Sequence, residues 1–176
     1  VLLEVGLRRG ELAGLTWDNV DFINKTITSA KTVVYSTSEG LIIKEPKSTN
    51  SKRILPVPES VVSVLKDWKA EQEESAMLLP TSFVFPDFEN AYMPINPQSI
   101  TKWSRRFSER HGLEHINPHK LRHTFGSMAT SKGAPLTAVS RYMGHSTTSI
   151  TSKAYIRLDT DDPRSVADIM EDVANG

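Results

Sequence analysis

The second half of the chain is punctuated so that only short helices fit it. Asn117-Pro118 precedes Leu121, Phe125 and Met128 at helical spacing, and Gly133 closes that stretch; Pro135 precedes Leu136, Val139 and Met143, closed by Gly144. Proline suits a first helical turn because its missing N–H has no intrahelical partner there, and glycine suits the end because it accepts a left-handed backbone. The same reasoning predicts a helix striped by Ile100, Trp103 and Phe107 and stopped near Gly112. Another is expected from Ser146 or Thr147 toward Tyr155, and a last one from Asp161-Asp162-Pro163 to Val173.

The first half reads differently. Residues 1–15 are expected as helical pieces broken at Gly6 and Gly10, with Leu2, Leu3, Leu7, Leu12 and Leu15 facing the core, followed by a turn at Asp18-Asn19. Thr26 to Ser36, Leu41 to Lys44 and Arg53 to Val57 are β-branched or apolar runs between polar turns, which predicts a small antiparallel sheet. Pro58-Glu59-Ser60 introduces a helix carrying Val61, Val64, Leu65 and Trp68 and ending near Glu74. Residues 78–96 hold three prolines and read as loop, with one short strand at Phe83–Phe85. The expected fold class is therefore α+β, mainly α, with a small antiparallel β-sheet.

With 176 residues and 38% apolar side chains, the chain is long enough for one domain with a real core. Its apolar runs fall short of the roughly 18 residues of a membrane span. Zero cysteines exclude disulfides, thiol nucleophiles and cysteine-ligated metal, and are compatible with a reducing cytoplasm. The opening Val1-Leu2-Leu3, with no methionine and no signal-peptide pattern, is expected of a fragment cut from a longer protein. Lysine plus arginine equals aspartate plus glutamate at 21 each, so net charge announces no polyanion partner, but its distribution is uneven. Lys102, Arg105, Arg106, Arg110, Lys120 and Arg122 face only Glu109 and Glu114, whereas residues 159–172 carry six acids against Arg164. One face only can meet a polyanion.

Several polar residues need a reason. His119 and Arg122, three apart on a predicted helix, are expected to project together off the core, where an imidazole and a guanidinium fork suit the non-bridging oxygens of a phosphate. On its own a His-x-x-Arg pair is also ordinary surface decoration. His111, His115, His119 and His123 recur every four residues, but Gly112 and Pro118 interrupt the helix and no carboxylate stands at ligand spacing on the His119 face, so no metal site is expected. Arg8 lies in Gly6-Leu7-Arg8-Arg9-Gly10-Glu11, where Glu11 three residues on is placed to hold its guanidinium in one orientation. Lys47 sits in the polar turn Pro46-Lys47-Ser48-Thr49-Asn50-Ser51-Lys52-Arg53, His145 follows Met143-Gly144, and Tyr155 lies ten residues later. Each of these alone reads as a solvated turn lysine, a helix-end histidine or a packing tyrosine.

In this order they do not read as separate features. Gly6-Leu7-Arg8-Arg9-Gly10-Glu11-Leu12, the hairpin Lys47, His119-Lys120-Leu121-Arg122-His123-Thr124-Phe125, Met143-Gly144-His145-Ser146 and Tyr155 together resemble the catalytic domain of the tyrosine recombinase family, also called phage integrases, nearest to phage and conjugative-transposon integrases. The resemblance implies that Tyr155 attacks a scissile DNA phosphate to give a 3′-phosphotyrosyl link and a free 5′-hydroxyl. Arg8 and Arg122 would clamp the non-bridging oxygens, His119 and His145 would donate to the phosphate with His119 helping Tyr155 lose its proton, and Lys47 would protonate the departing oxygen. Glu11 would orient the Arg8 region. A phenol of ordinary pKa about 10 needs such cations to react near neutrality, and they supply them without metal or cofactor.

The resemblance further implies one catalytic domain over residues 1–176, with an amino-terminal core-binding domain and any arm-binding domain absent from it. Implied partners are double-stranded DNA at attachment sites, a homo-tetramer on synapsed DNA, and accessory DNA-bending or excision factors; the implied location is cytoplasmic and nucleoid-associated, with no membrane. The zero net charge departs from the pattern and predicts weak, poorly specific DNA binding by this chain alone. Two other readings share the scaffold: a non-catalytic DNA-binding regulator, and type IB topoisomerase-like relaxation. A basic helical adaptor without a DNA role leaves the six residues together unexplained.

Overall fold

A computed structural model of the chain describes residues 1–45, 52–75, 78–144 and 163–175. Two short helices open it, α1 (Leu2–Val5) and α2 (Arg9–Ala13), then a 3-10 turn (Trp17–Asn19) leads into β1 (Val20–Asp21), β2 (Thr26–Ser29), β3 (Thr32–Ser36), β4 (Gly40–Lys44) and β5 (Arg53–Pro56). The remainder is helical: α3 (Glu59–Ser75), α4 (Pro97–Arg110), α5 (Pro118–Ser131), α6 (Leu136–Met143) and α7 (Arg164–Asn175).

The expected single sheet is two. β2 lies between β1 and β5, with Ile27 opposite Leu55, while β3 and β4 form a separate hairpin with Val33 opposite Ile43; both sets are antiparallel. The run from Thr26 to Ser36 therefore breaks at residues 30–31 rather than forming one strand. Nor does Phe83–Phe85 form a strand: it contributes one isolated bridge, Phe83 to Thr16.

Gly6 ends α1 with φ +61°, and the Phe125 ring packs so close that a Cβ there would lie 2.6 Å from it, so this contact between α1 and α5 requires glycine. Gly10, by contrast, breaks nothing. It lies inside α2, where the Val33 carbonyl of β3 covers it.

Local caps explain where α4 and α5 start. The Asn96 side chain accepts from Gln98 N and the Asn117 side chain from Lys120 N, both at 2.9 Å, and a proline occupies the first turn of each helix. Burial then selects faces. α4 turns Ile100, Ser104 and Ser108 inward and leaves Trp103 64% exposed, stacked on Phe107 at 5.2 Å, so the expected stripe of Ile100, Trp103 and Phe107 is not one core face. The serines fit there because each buried hydroxyl is satisfied by donating to the carbonyl four residues back. Leu3 and Leu136, expected to face inward, are also exposed, as is Val64 on α3.

The core runs from Leu7, Leu12 and Leu15 through Ile27, Leu55 and Leu65 to Val84, Phe125, Val139 and Tyr142. The Tyr142 ring stacks on Phe125 at 5.3 Å and its hydroxyl donates to Pro56 O at 2.7 Å, joining α6, α5 and β5. α7 packs on its own chain against α3, α5, α6 and β5, burying Val166, Ala167 and Met170. Among the described residues, no helix is long and apolar enough to cross a membrane.

Candidate phosphate-binding cleft

Arg8 precedes α2 in an extended conformation, and its neighbour Glu11 folds back onto it. One Glu11 carboxylate oxygen accepts the Arg8 backbone N–H at 2.8 Å, and the other accepts Arg8 Nη1 at 2.8 Å. Arg8 Nη2 donates to Gly144 O at 2.8 Å, where α6 ends in a left-handed glycine. The guanidinium is thus held from both sides yet remains 45% exposed, whereas Glu11 is only 6% exposed.

Arg122 does not project outward beside His119. It is 6% exposed, and its guanidinium donates from Nη1 to Gly6 O and from Nη2 to Met143 O, tying the ends of α1 and α6 to α5. A planar fork can serve two carbonyls about 140 residues of chain apart because its donors point in fixed, diverging directions. Burial, reinforced by the charges of Arg8 and Arg53, pushes its pKa down to about 10 against the opposing pull of Glu11, which leaves it cationic at neutral pH.

His119 is exposed, one turn before Arg122 on α5. Its Nε2 lies 3.0 Å from His123 Nε2, within hydrogen-bond reach, with the rings edge to face. Arg8, His119 and Arg122 line one cleft of about 660 Å³ together with Arg9, Thr101 and His115. Arg9 reaches Thr101 at 3.1 Å, and Ile116 N donates to Ser108 Oγ at 2.9 Å, fixing the segment that leads into α5 against α4.

The structure therefore brings together Arg8, Glu11, His119 and Arg122 of the residues named from sequence. Lys47, His145 and Tyr155 lie outside the described residues. Arg53 was missed: at the start of β5, its Nη2 donates to Glu11 Oε1 at 2.9 Å, and it is 19% exposed. In the sequence it is one more basic residue at the end of a polar turn, and only the tertiary contact with Glu11 distinguishes it. Burial alone would raise the Glu11 pKa, but Arg53, the Arg8 hydrogen bonds and the Arg8 charge outweigh it and hold the carboxyl below its ordinary value.

Two immobilised guanidiniums and an imidazole lining one cleft have the donor set that suits the oxygens of a phosphate. Residues 1–161 match the phage integrase family, and the chain belongs to it. It is 32% identical over 165 residues to a XerC-like tyrosine recombinase of Caldanaerobacter subterraneus subsp. tengcongensis, covering 85% of this chain and 42% of that protein. To the transposase of transposon Tn916 from Enterococcus faecalis it is 27% identical over 164 residues, 88% of this chain and 40% of that protein. The Tn1549 transposon integrase, solved in complex with transposon right end DNA, superposes with a TM-score of 0.75 at 26% identity, over 98% of this chain and 56% of that one. XerA recombinase shares the fold, with a TM-score of 0.65 at 21% identity, over 100% of this chain and 56% of that one. The α+β, mainly helical fold expected from sequence is that of a tyrosine recombinase catalytic domain. The chain spans about two fifths of the length of these curated relatives.

Proposed function

We propose that residues 1–176 are the catalytic domain of a site-specific DNA recombinase that cleaves and rejoins DNA through a 3′-phosphotyrosyl intermediate, for integration or excision of a mobile element. The observation that carries this reading is the pairing of a buried Arg122 with a Glu11-held Arg8 on one wall of a cleft also lined by His119. Two fixed cations facing the same space stabilise charge on phosphate oxygens in the transition state at little reorganisation cost.

In the proposed reaction the Tyr155 phenolate oxygen bonds to phosphorus as the bond to the 5′-oxygen breaks. Arg8, Arg122, His119 and His145 hold the non-bridging oxygens, His119 takes the phenolic proton, and Lys47 delivers one to the 5′-oxygen. Reversal by a 5′-hydroxyl restores the phosphodiester, so neither a nucleotide nor a metal ion enters the balance. The DNA-bound relatives support double-stranded DNA as the partner. In the whole protein we place this domain beside a core-binding domain, and any arm-binding domain, in a tetramer on synapsed attachment sites in the nucleoid. Bending or excision factors would set the direction.

The test uses nicked duplexes made from the ends of the mobile element that encodes the chain, with EDTA and no ATP. The expected result is a denaturant-resistant, protease-sensitive protein–DNA adduct that Tyr155→Phe abolishes while leaving DNA affinity intact. Lys47→Ala should slow cleavage, and a 5′-bridging sulfur, which leaves without a proton, should bypass that defect. Binding without any adduct would overturn the enzyme reading in favour of a DNA-binding regulator on the same scaffold. Relaxation by a monomer, with no exchange between two sites, would favour topoisomerase-like action.

A further inference from the structure

Arg53 stands behind the cleft, at the point where β5 leaves the turn that carries Lys47 in the sequence. Its Nη2 donates to Glu11 Oε1, the same oxygen that accepts Arg8 Nη1, at 2.9 and 2.8 Å. The rest of the guanidinium lies on Gly144, so close that a Cβ there would fall 1.8 Å from Nη1. Among the described residues its buried Nε has no hydrogen-bond partner. Among the described residues, the hydrogen bond its side chain makes goes to the shared carboxylate oxygen.

The charge balance gives that contact a purpose. Glu11 and Arg8 alone sum to zero, and a carboxylate with one arginine partner draws the whole fork onto itself, leaving little attraction for a phosphate. With Arg53 on the same oxygen, the triad carries one net positive charge and Glu11 is spent on two partners. Arg8 is then oriented by Glu11 without being neutralised by it. Gly144 completes the arrangement, since its carbonyl takes Arg8 Nη2 and its missing side chain admits the Arg53 guanidinium.

We propose that Arg53 is a positioning residue of the cleavage site: it offsets the charge of Glu11 so that Arg8 is fixed in orientation yet free to bind the scissile phosphate. This rests on the recombinase reading above. Arg53 acts through Glu11 and Arg8, not through the proton that Lys47 delivers.

The experiment measures single-turnover adduct formation at saturating nicked duplex, with DNA Kd and thermal melting recorded separately, for the parent, Arg53→Gln, Arg53→Lys, Glu11→Gln and the Glu11→Gln/Arg53→Gln double variant. Arg53→Gln is expected to slow cleavage about 100-fold, the scale of a misplaced catalytic group. Arg53→Lys, which keeps the charge, should recover most of that rate. The double variant should cleave no more slowly than Glu11→Gln, and a 5′-bridging sulfur should rescue Lys47→Ala but not Arg53→Gln. A folded Arg53→Gln that cleaves at the parent rate overturns the proposal, as does a Lys variant no better than Gln or a rescue by the sulfur substrate. Should Arg53→Gln not fold, the double variant decides against Glu11→Gln: equal rates support the proposal and a further loss overturns it. A full-length parent that binds the duplex but forms no adduct defeats the recombinase reading instead. Positioning is then judged from the Arg8 guanidinium N–H signals by NMR, which must exchange more slowly in Arg53→Gln as Glu11 takes the whole fork; unchanged or faster exchange overturns it.

Discussion

At the scale of single residues, Glu11 is the centre of the cleft although it does not line it. It is buried, accepts three hydrogen bonds from two arginines, and holds a carboxyl more acidic than the ordinary value of 4.5. Because the unfolded chain takes up the proton more readily, this group contributes stability above about pH 4.5 and loses it as the pH falls through the lower folded value. Melting temperature followed from pH 6 to 3 is expected to fall less steeply in Glu11→Gln than in the parent. At neutral pH the same variant is expected to lose about 2 kcal/mol in urea unfolding, less than the 3–5 typical of a fully buried pair, since Arg8 is nearly half exposed. The Arg8–Glu11 contact could be anticipated from three-residue spacing. The burial of Arg122 could not, because His119 and Arg122 share one helical neighbourhood in sequence and only the ends of α1 and α6 make one of them an interior residue.

At the scale of elements, the site depends on where α5 begins. Asn117 caps it and Pro118 occupies its first turn, which sets the rotation that turns Phe125 into the core, Arg122 toward Gly6 and Met143, and His119 into the cleft. Asn117→Ala should cost about 1 kcal/mol in denaturant unfolding, whereas Asn117→Asp, which keeps an accepting oxygen, should cost little. This helix was legible because its signals are local: an Asn-Pro start, apolar spacing and a glycine beyond its end. The strands were less so. The break at residues 30–31 and the pairing of β2 with β5 rather than with β3 depend on which surfaces the helices cover, and β-branched runs look alike in either arrangement. Gly10 was misread for a related reason: a glycine inside a short helix signals either a stop or a close neighbour, and here the neighbour is the backbone of β3.

At the scale of the whole molecule, α7 closes the fold on its own chain. Removing residues 163–176 would expose the surfaces that Val166 and Met170 cover and is expected to cost about 3–6 kcal/mol, readable as a lower urea midpoint. The basic face seen in the sequence survives as exposed Lys102, Arg105, Arg106 and Arg110 along α4, on the element that also supplies Thr101 to the cleft. Sequence alone determined the helical punctuation, the mixed fold class and the family, since caps, periodicity and ordered motifs are carried by neighbours along the chain. Tertiary structure alone decided which guanidinium is buried, which serines may face inward, and that Arg53 shares Glu11 with Arg8. The contacts that place the guanidiniums join residues 21 to 136 positions apart, and no local pattern encodes which charged side chain a distant carboxylate or carbonyl will meet.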